Sequence, residues 1–138
     1  DVIERAREEA IMPRQPTEVW SMSFQFYLVA ALFLLMGLAA FARPRSFVAP
    51  LGLPAESADS RNEVQAVYGG FGLAMAALLM APLWMPDART GVIVAVAAAL
   101  GGMAFDRIVG ALREMPGKLP WIFFAIEAAG AALILSAL

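Results

Sequence analysis

The sequence predicts an all-α protein, a four-helix transmembrane bundle with a short N-terminal extramembrane helix. Three observations carry that prediction. The chain is 61% hydrophobic and 16% charged, with a mean hydropathy of +0.71, outside the range of ordinary soluble domains. No charge occurs from Val19 to Ala42 or from Val64 to Pro86, and each run is long enough to cross a hydrocarbon core of roughly 30 Å as a helix. Two further apolar stretches, from Thr90 and from Leu119, are interrupted by charge. Lipid satisfies no backbone group and the alternation of a barrel strand is absent, so the spans must be helical.

Residues 1–16 are expected as a charged extension and 17–138 as the membrane domain. The first twelve or so residues read as a short helix, with Ile3, Ala6, Ala10 and Ile11 as a thin apolar stripe and Glu4/Glu8 one turn apart. Pro13 and Pro16 end it. The first span is expected over about 17–42, opening with Trp20 at the depth of an aromatic belt. Ala40-Phe41-Ala42 has the look of a signal cleavage site, but the apolar run exceeds a signal core of about 7–15 residues, so a retained anchor is expected.

Pro44, Pro50 and Pro54 prevent a continuous helix over 43–60, where Phe47, Val48, Leu51 and Leu53 suit the interface. Ser60 and Glu63 match a capping box that opens a second span over about 61–84. Thr90 is the expected cap of the third span, about 90–115, which Pro116-Gly117 stops. The fourth, about 120–138, begins at Pro120, with Trp121 at the interface.

Composition narrows the chemistry. With no Cys and no His, thiolate chemistry, the usual structural zinc and the commonest haem and metal ligand are all missing. No cofactor and no metal are expected, and the eight Met read as flexible packing. A formal net charge of −2 with no basic run gives nucleic acid no footing. The loops after the first and third spans carry Arg43, Arg45, Arg61, Arg113 and Lys118, against Arg5, Arg7, Arg14 and Arg89 on the other side. That balance puts the two loops in the cytoplasm and both termini outside.

Charges within spans point to a site, because ionisable groups there are costly. Arg107 lies about 12 Å from the end of the third span and Glu127 about 10 Å into the fourth. An Arg107–Glu127 pair is therefore natural, with Glu63 and Arg61 nearer the mouth of the same end and Tyr68 one turn further in. Asp106, about 100° round the helix from Arg107, falls in the row Ala98, Gly102, Asp106, Gly110. Ala66, Gly70 and Ala74 make a similar row in the second span, and both rows suit close helix packing. Asp106, Arg107 and Glu127 sum to −1 if all are ionised, so one acid is expected to be protonated, paired with Arg61, or paired with another chain.

The run from Asn62 to Gly70, NEVQAVYGG, with Asp106-Arg107, Gly110 and Glu127 further on, resembles a bacterial family of small four-span membrane proteins known only as a domain of unknown function. The resemblance covers about residues 22–138 and implies a multi-pass protein of the bacterial inner membrane. Gln65 stands where the family pattern has Arg, which removes a cation that would balance Glu63 or Glu127.

Without His or Cys, an enzyme is not expected. The leading expectation is a non-enzymatic component that packs, amid membrane lipid, in a larger membrane complex or homo-oligomer around a buried polar cluster. Two alternatives stand beside it. One is a small proton-coupled transporter titrating at Glu127 or Asp106. The other is a module binding a lipid or quinone at Arg107, Glu127, Glu63 and Tyr68.

Overall fold

The structure is a computed structural model that describes residues 16–138, with side chains described from Phe24 onward. The charged helix expected over the first residues lies outside the described residues. Every regular element among the described residues is helical. Helix α1 (Pro16–Ala42) stops where Arg43 meets Pro44. The proline ring disfavours helical geometry at the residue before it, and Arg43 accordingly leaves the helical region at φ −139°, ψ 64°.

A short α2 (Pro44–Val48) and a 3-10 turn (Ala49–Leu51) follow, closed by Gly52 at φ +70°, where only glycine avoids a Cβ penalty. This connector is more ordered than its prolines suggest: Val48 is fully buried and Ala55 nearly so. Helix α3 (Ala58–Val64) is capped by Ser57, whose Oγ accepts from the Ser60 N–H at 3.0 Å. The expected cap at Ser60 is thus one turn late. Ser57 leaves the loop extended, and Asp59 sits in the first turn where the helix dipole favours it.

A π-helical turn (Gln65–Gly70) joins α3 to α4 (Phe71–Met80) and a terminal 3-10 turn (Ala81–Leu83). Together they form one membrane-length helix, Ala58–Leu83. A 3-10 turn (Pro86–Ala88) runs straight into α5 (Arg89–Arg113), so Thr90 is not its cap. Helix α6 (Lys118–Leu135) completes the bundle. Four helices are long and apolar enough to span a membrane, and the chain is a multi-pass membrane protein.

Successive spans are antiparallel. Helix α1 pairs with the second span and α5 with α6, and α1–α6 and α4–α5 contacts join the two hairpins. The first hairpin is zipped by glycine. A Cβ on Gly37 would lie 2.8 Å from the Leu73 nitrogen, and one on Gly72 would lie 3.0 Å from both the Gly37 Cα and the Phe33 carbonyl. Such approach is what small residues permit between membrane helices.

The two small-residue rows read from sequence do not make these contacts. Ala66, Gly70 and Ala74 are exposed, while Gly69, Gly72, Ala76 and Leu79 are buried. The three still share a face, but it points outward, and the inward contact is made by Gly69 and Gly72 against Phe41 and Gly37. Ala98, Gly102, Asp106 and Gly110 do share one face of α5, but it points outward. A Cβ on Gly102 or Gly110 would meet nothing within 4 Å. The face that packs inward carries Val92, Ile93, Val96, Ala97, Leu100 and Ala104.

The hydrophobic core is concentrated at one end. Phe26, Val29, Phe33, Leu79, Ile93, Val96, Leu100 and Ile134 pack together from the Arg89 end to mid-bundle, where Val29, Phe33 and Leu100 form the floor of the cavity beyond. Arg89 helps close that end, donating to the Ala137 carbonyl at 3.1 Å and lying 4.9 Å over the Phe26 ring. At the opposite end, beneath the 43–57 connector, the helices enclose a cavity instead.

Candidate functional site

The cavity measures about 360 Å³, within the usual range of small-molecule sites. Helix α1 contributes Val29, Leu32, Phe33 and Met36, and α6 contributes Phe123, Ile126, Glu127 and Gly130. Phe47 and Leu51 of the connector roof it beside Tyr68 of the π turn, with Phe47 and Tyr68 rings 5.4 Å apart. Leu32 and Ile126 are each more than two-fifths exposed. The rim between α1 and α6 therefore opens sideways, into what the span assignment makes lipid.

One polar device marks the wall. Arg107 Nε donates to Glu127 Oε2 at 2.6 Å, and Nη2 donates to Oε1 at 2.5 Å. This is a bidentate fork, the strongest geometry open to this pair. Among the described residues, Glu127 is the one charged residue that is buried, and its position beside α5 follows from the short turn between antiparallel α5 and α6. Phe123, one turn earlier on α6, stacks under the guanidinium at 5.1 Å.

The fork leaves donors unused. Arg107 Nη1 and the Tyr68 hydroxyl have no acceptor among the described residues, and both residues line the cavity. The site thus offers an apolar, aromatic-walled volume with N–H and O–H donors at one end and a charge already neutralised within the protein.

Of the residues singled out from sequence, Arg107, Glu127 and Tyr68 come together here. The others do not join them. Asp106 points outward with no hydrogen bond or ion pair among the described residues. Glu63 is exposed on α3. Arg61 turns away to donate from Nη1 to the Glu56 carbonyl at 2.6 Å. Gln65 is structural: its Nε2 donates 2.9 Å to the Phe41 carbonyl, satisfying a last-turn acceptor of α1. Sequence reasoning missed Phe33, Met36, Phe47 and Phe123, because an aromatic lining a cavity and one filling a core have the same spacing.

Fold and site together define a small polytopic membrane protein whose four-helix bundle is packed at one end and hollow at the other. The chain belongs to the family described as Domain of unknown function (DUF4345), whose model matches residues 22–138. No curated protein and no solved structure is significantly similar to it.

Proposed function

We propose that this protein is a non-enzymatic membrane module that holds a lipid-soluble ligand in the cavity beneath the 43–57 connector. The observation that carries the reading is a laterally open apolar volume ending at Arg107, Glu127 and Tyr68. The rim at Leu32 and Ile126 supports access from the bilayer rather than from water.

The fork also selects the head of that ligand. Arg107 and Glu127 already cancel, so a carboxylate or phosphate entering the cavity would be an uncompensated charge in low dielectric, costing several kcal/mol. A neutral carbonyl suits the site better, accepting from Arg107 Nη1 and the Tyr68 hydroxyl. The ligand class is therefore a neutral, carbonyl-bearing amphiphile such as a quinone. Binding rather than catalysis fits a guanidinium whose partner carboxylate is fully engaged.

Native mass spectrometry of protein purified in mild detergent tests this. A neutral lipid-soluble compound is expected to remain bound to the wild type and to be lost from Ile126→Trp, which fills the rim. Wild-type protein that carries no such compound, and binds none when supplied with a quinone amphiphile, overturns the reading.

A second reading rests on Asp106. An acid on an outward membrane-facing surface flanked by Ala98, Gly102 and Gly110 is costly unless something covers it. An accessory role, with a second copy or a larger membrane complex covering that face, would relieve this cost. The chain has no Cys, so Gly102→Cys in native membranes reports directly: a disulfide-linked dimer supports self-packing, and a monomer under oxidation removes it. The basic balance of the loops supports placing Arg43, Arg61 and Arg113 on the cytoplasmic side.

A further inference from the structure

We infer that Arg43, Arg45 and Arg61 form a binding site for the phosphate of an anionic phospholipid. These residues, with Pro44 and Ser46, line a wide, shallow depression on the surface, separate from the cavity above. It lies where α1 ends at Ala42 and α3 begins at Ala58, so it sits at the rim of two membrane spans.

Two of the three guanidiniums are held in place by the connector. Arg45 Nε and Nη2 donate to the Ala55 and Glu56 carbonyls at 3.2 and 3.3 Å. Arg61 Nη1 donates to the same Glu56 carbonyl. One extended stretch of connector thus tethers two arginines through neutral backbone oxygens. No carboxylate lies within salt-bridge distance of Arg43, Arg45 or Arg61 among the described residues, although Glu56, Asp59 and Glu63 are close in sequence.

Three formal positive charges therefore border one depression, none of them in an ion pair among the described residues and each with N–H donors free. The Arg43 fork, with the remaining Nη donors of Arg45 and Arg61 beside it, matches the oxygen spacing of phosphate, and basic recesses at membrane-helix ends hold anionic head groups. A general preference for basic loops on one side accounts for the presence of arginines there. It does not account for their grouping around one depression or for the carbonyl tethers. Free phosphate has the same chemistry, but the recess is level with the ends of α1 and α3, where a phospholipid head group lies.

The test uses the full chain in mild detergent, titrated with phosphatidylglycerol or phosphatidylcholine of identical acyl chains and read by native mass spectrometry. Phosphatidylglycerol is expected to bind at least about tenfold more tightly. That preference is expected to vanish in the triple variant Arg43→Gln/Arg45→Gln/Arg61→Gln and to survive Arg113→Gln/Lys118→Gln. Arg43→Gln alone removes no side-chain hydrogen bond among the described residues and should weaken phosphatidylglycerol about fivefold, which keeps the test decisive if the triple variant misfolds. Equal binding of the two lipids, or a preference that Arg43→Gln leaves unchanged, overturns the inference. Displacement of phosphatidylglycerol by low-millimolar inorganic phosphate assigns the site to the free anion instead, and overturns the lipid assignment.

Discussion

Arg107 and Glu127 meet as a two-pronged fork across the short α5–α6 turn, with Nε and Nη2 each on a separate carboxylate oxygen. The pair locks the register of the second hairpin, and it also sets the charge that any occupant of the cavity encounters.

Removing Arg107 leaves Glu127 buried and alone, whereas removing Glu127 leaves a part-buried Arg107 that can reach water. Arg107→Met should destabilise the solubilised protein by about 3–5 kcal/mol and Glu127→Leu by less, and the double variant should regain much of the loss. Denaturant or thermal melts of the two singles and the double complete the cycle. Additive losses would mean that the fork contributes little.

Glycine contacts separate inward from outward faces. Gly37→Ala forces a Cβ against the Leu73 nitrogen and the Gly69 carbonyl, neither of which yields as a side chain does. A loss of about 1–3 kcal/mol is expected. Gly102→Ala meets nothing within 4 Å among the described residues and should leave monomer stability within about 0.5 kcal/mol of wild type. Paired melts in detergent check both.

How much of this was legible in the sequence follows from which forces act locally. The spans were legible, since a membrane demands long apolar helices whatever packs around them; observed Pro16–Ala42, Ala58–Leu83, Arg89–Arg113 and Lys118–Leu135 lie within a few residues of expectation. The meeting of Arg107 and Glu127 needed only helical rise and an antiparallel turn. The direction of the Ala66/Gly70/Ala74 face was not legible, because which of two small-residue rows turns inward depends on the helix packed against it, here Gly37 of α1 against Gly72. Asp106 was placed on the right face, but which way that face points depends on the bulk of Val96 and Leu100 opposite. The cavity was illegible for a related reason: a void is a property of four helices together.

Topology is open to chemical mapping because the chain has no Cys. Leu53→Cys and Met115→Cys lie on exposed positions at one end, and Asp87→Cys lies at the other. An impermeant maleimide added to intact cells should modify Asp87→Cys and spare the other two until the membrane is opened. Labelling of Leu53→Cys and Asp87→Cys from the same side would contradict the four-span arrangement.

Tyr68 separates binding from folding. Its hydroxyl has no acceptor among the described residues while its ring packs on Phe47, so Tyr68→Phe should alter stability by less than about 0.5 kcal/mol. Loss of one hydrogen bond to a ligand carbonyl should weaken binding by about 0.5–1.5 kcal/mol. A thermal melt and a quinone titration on the same preparation give the two readings.

The most direct measurement is a pair of equilibrium titrations of the solubilised protein with decylubiquinone and with palmitate. Saturable one-to-one binding of the quinone is expected, with palmitate at least about tenfold weaker, since each 1.4 kcal/mol of charge penalty is tenfold. Glu127→Gln should reverse the order by freeing Arg107 for a carboxylate. Palmitate binding as tightly as the quinone in the wild type, or a quinone isotherm unmoved by Ile126→Trp, would contradict a cavity built for a neutral head.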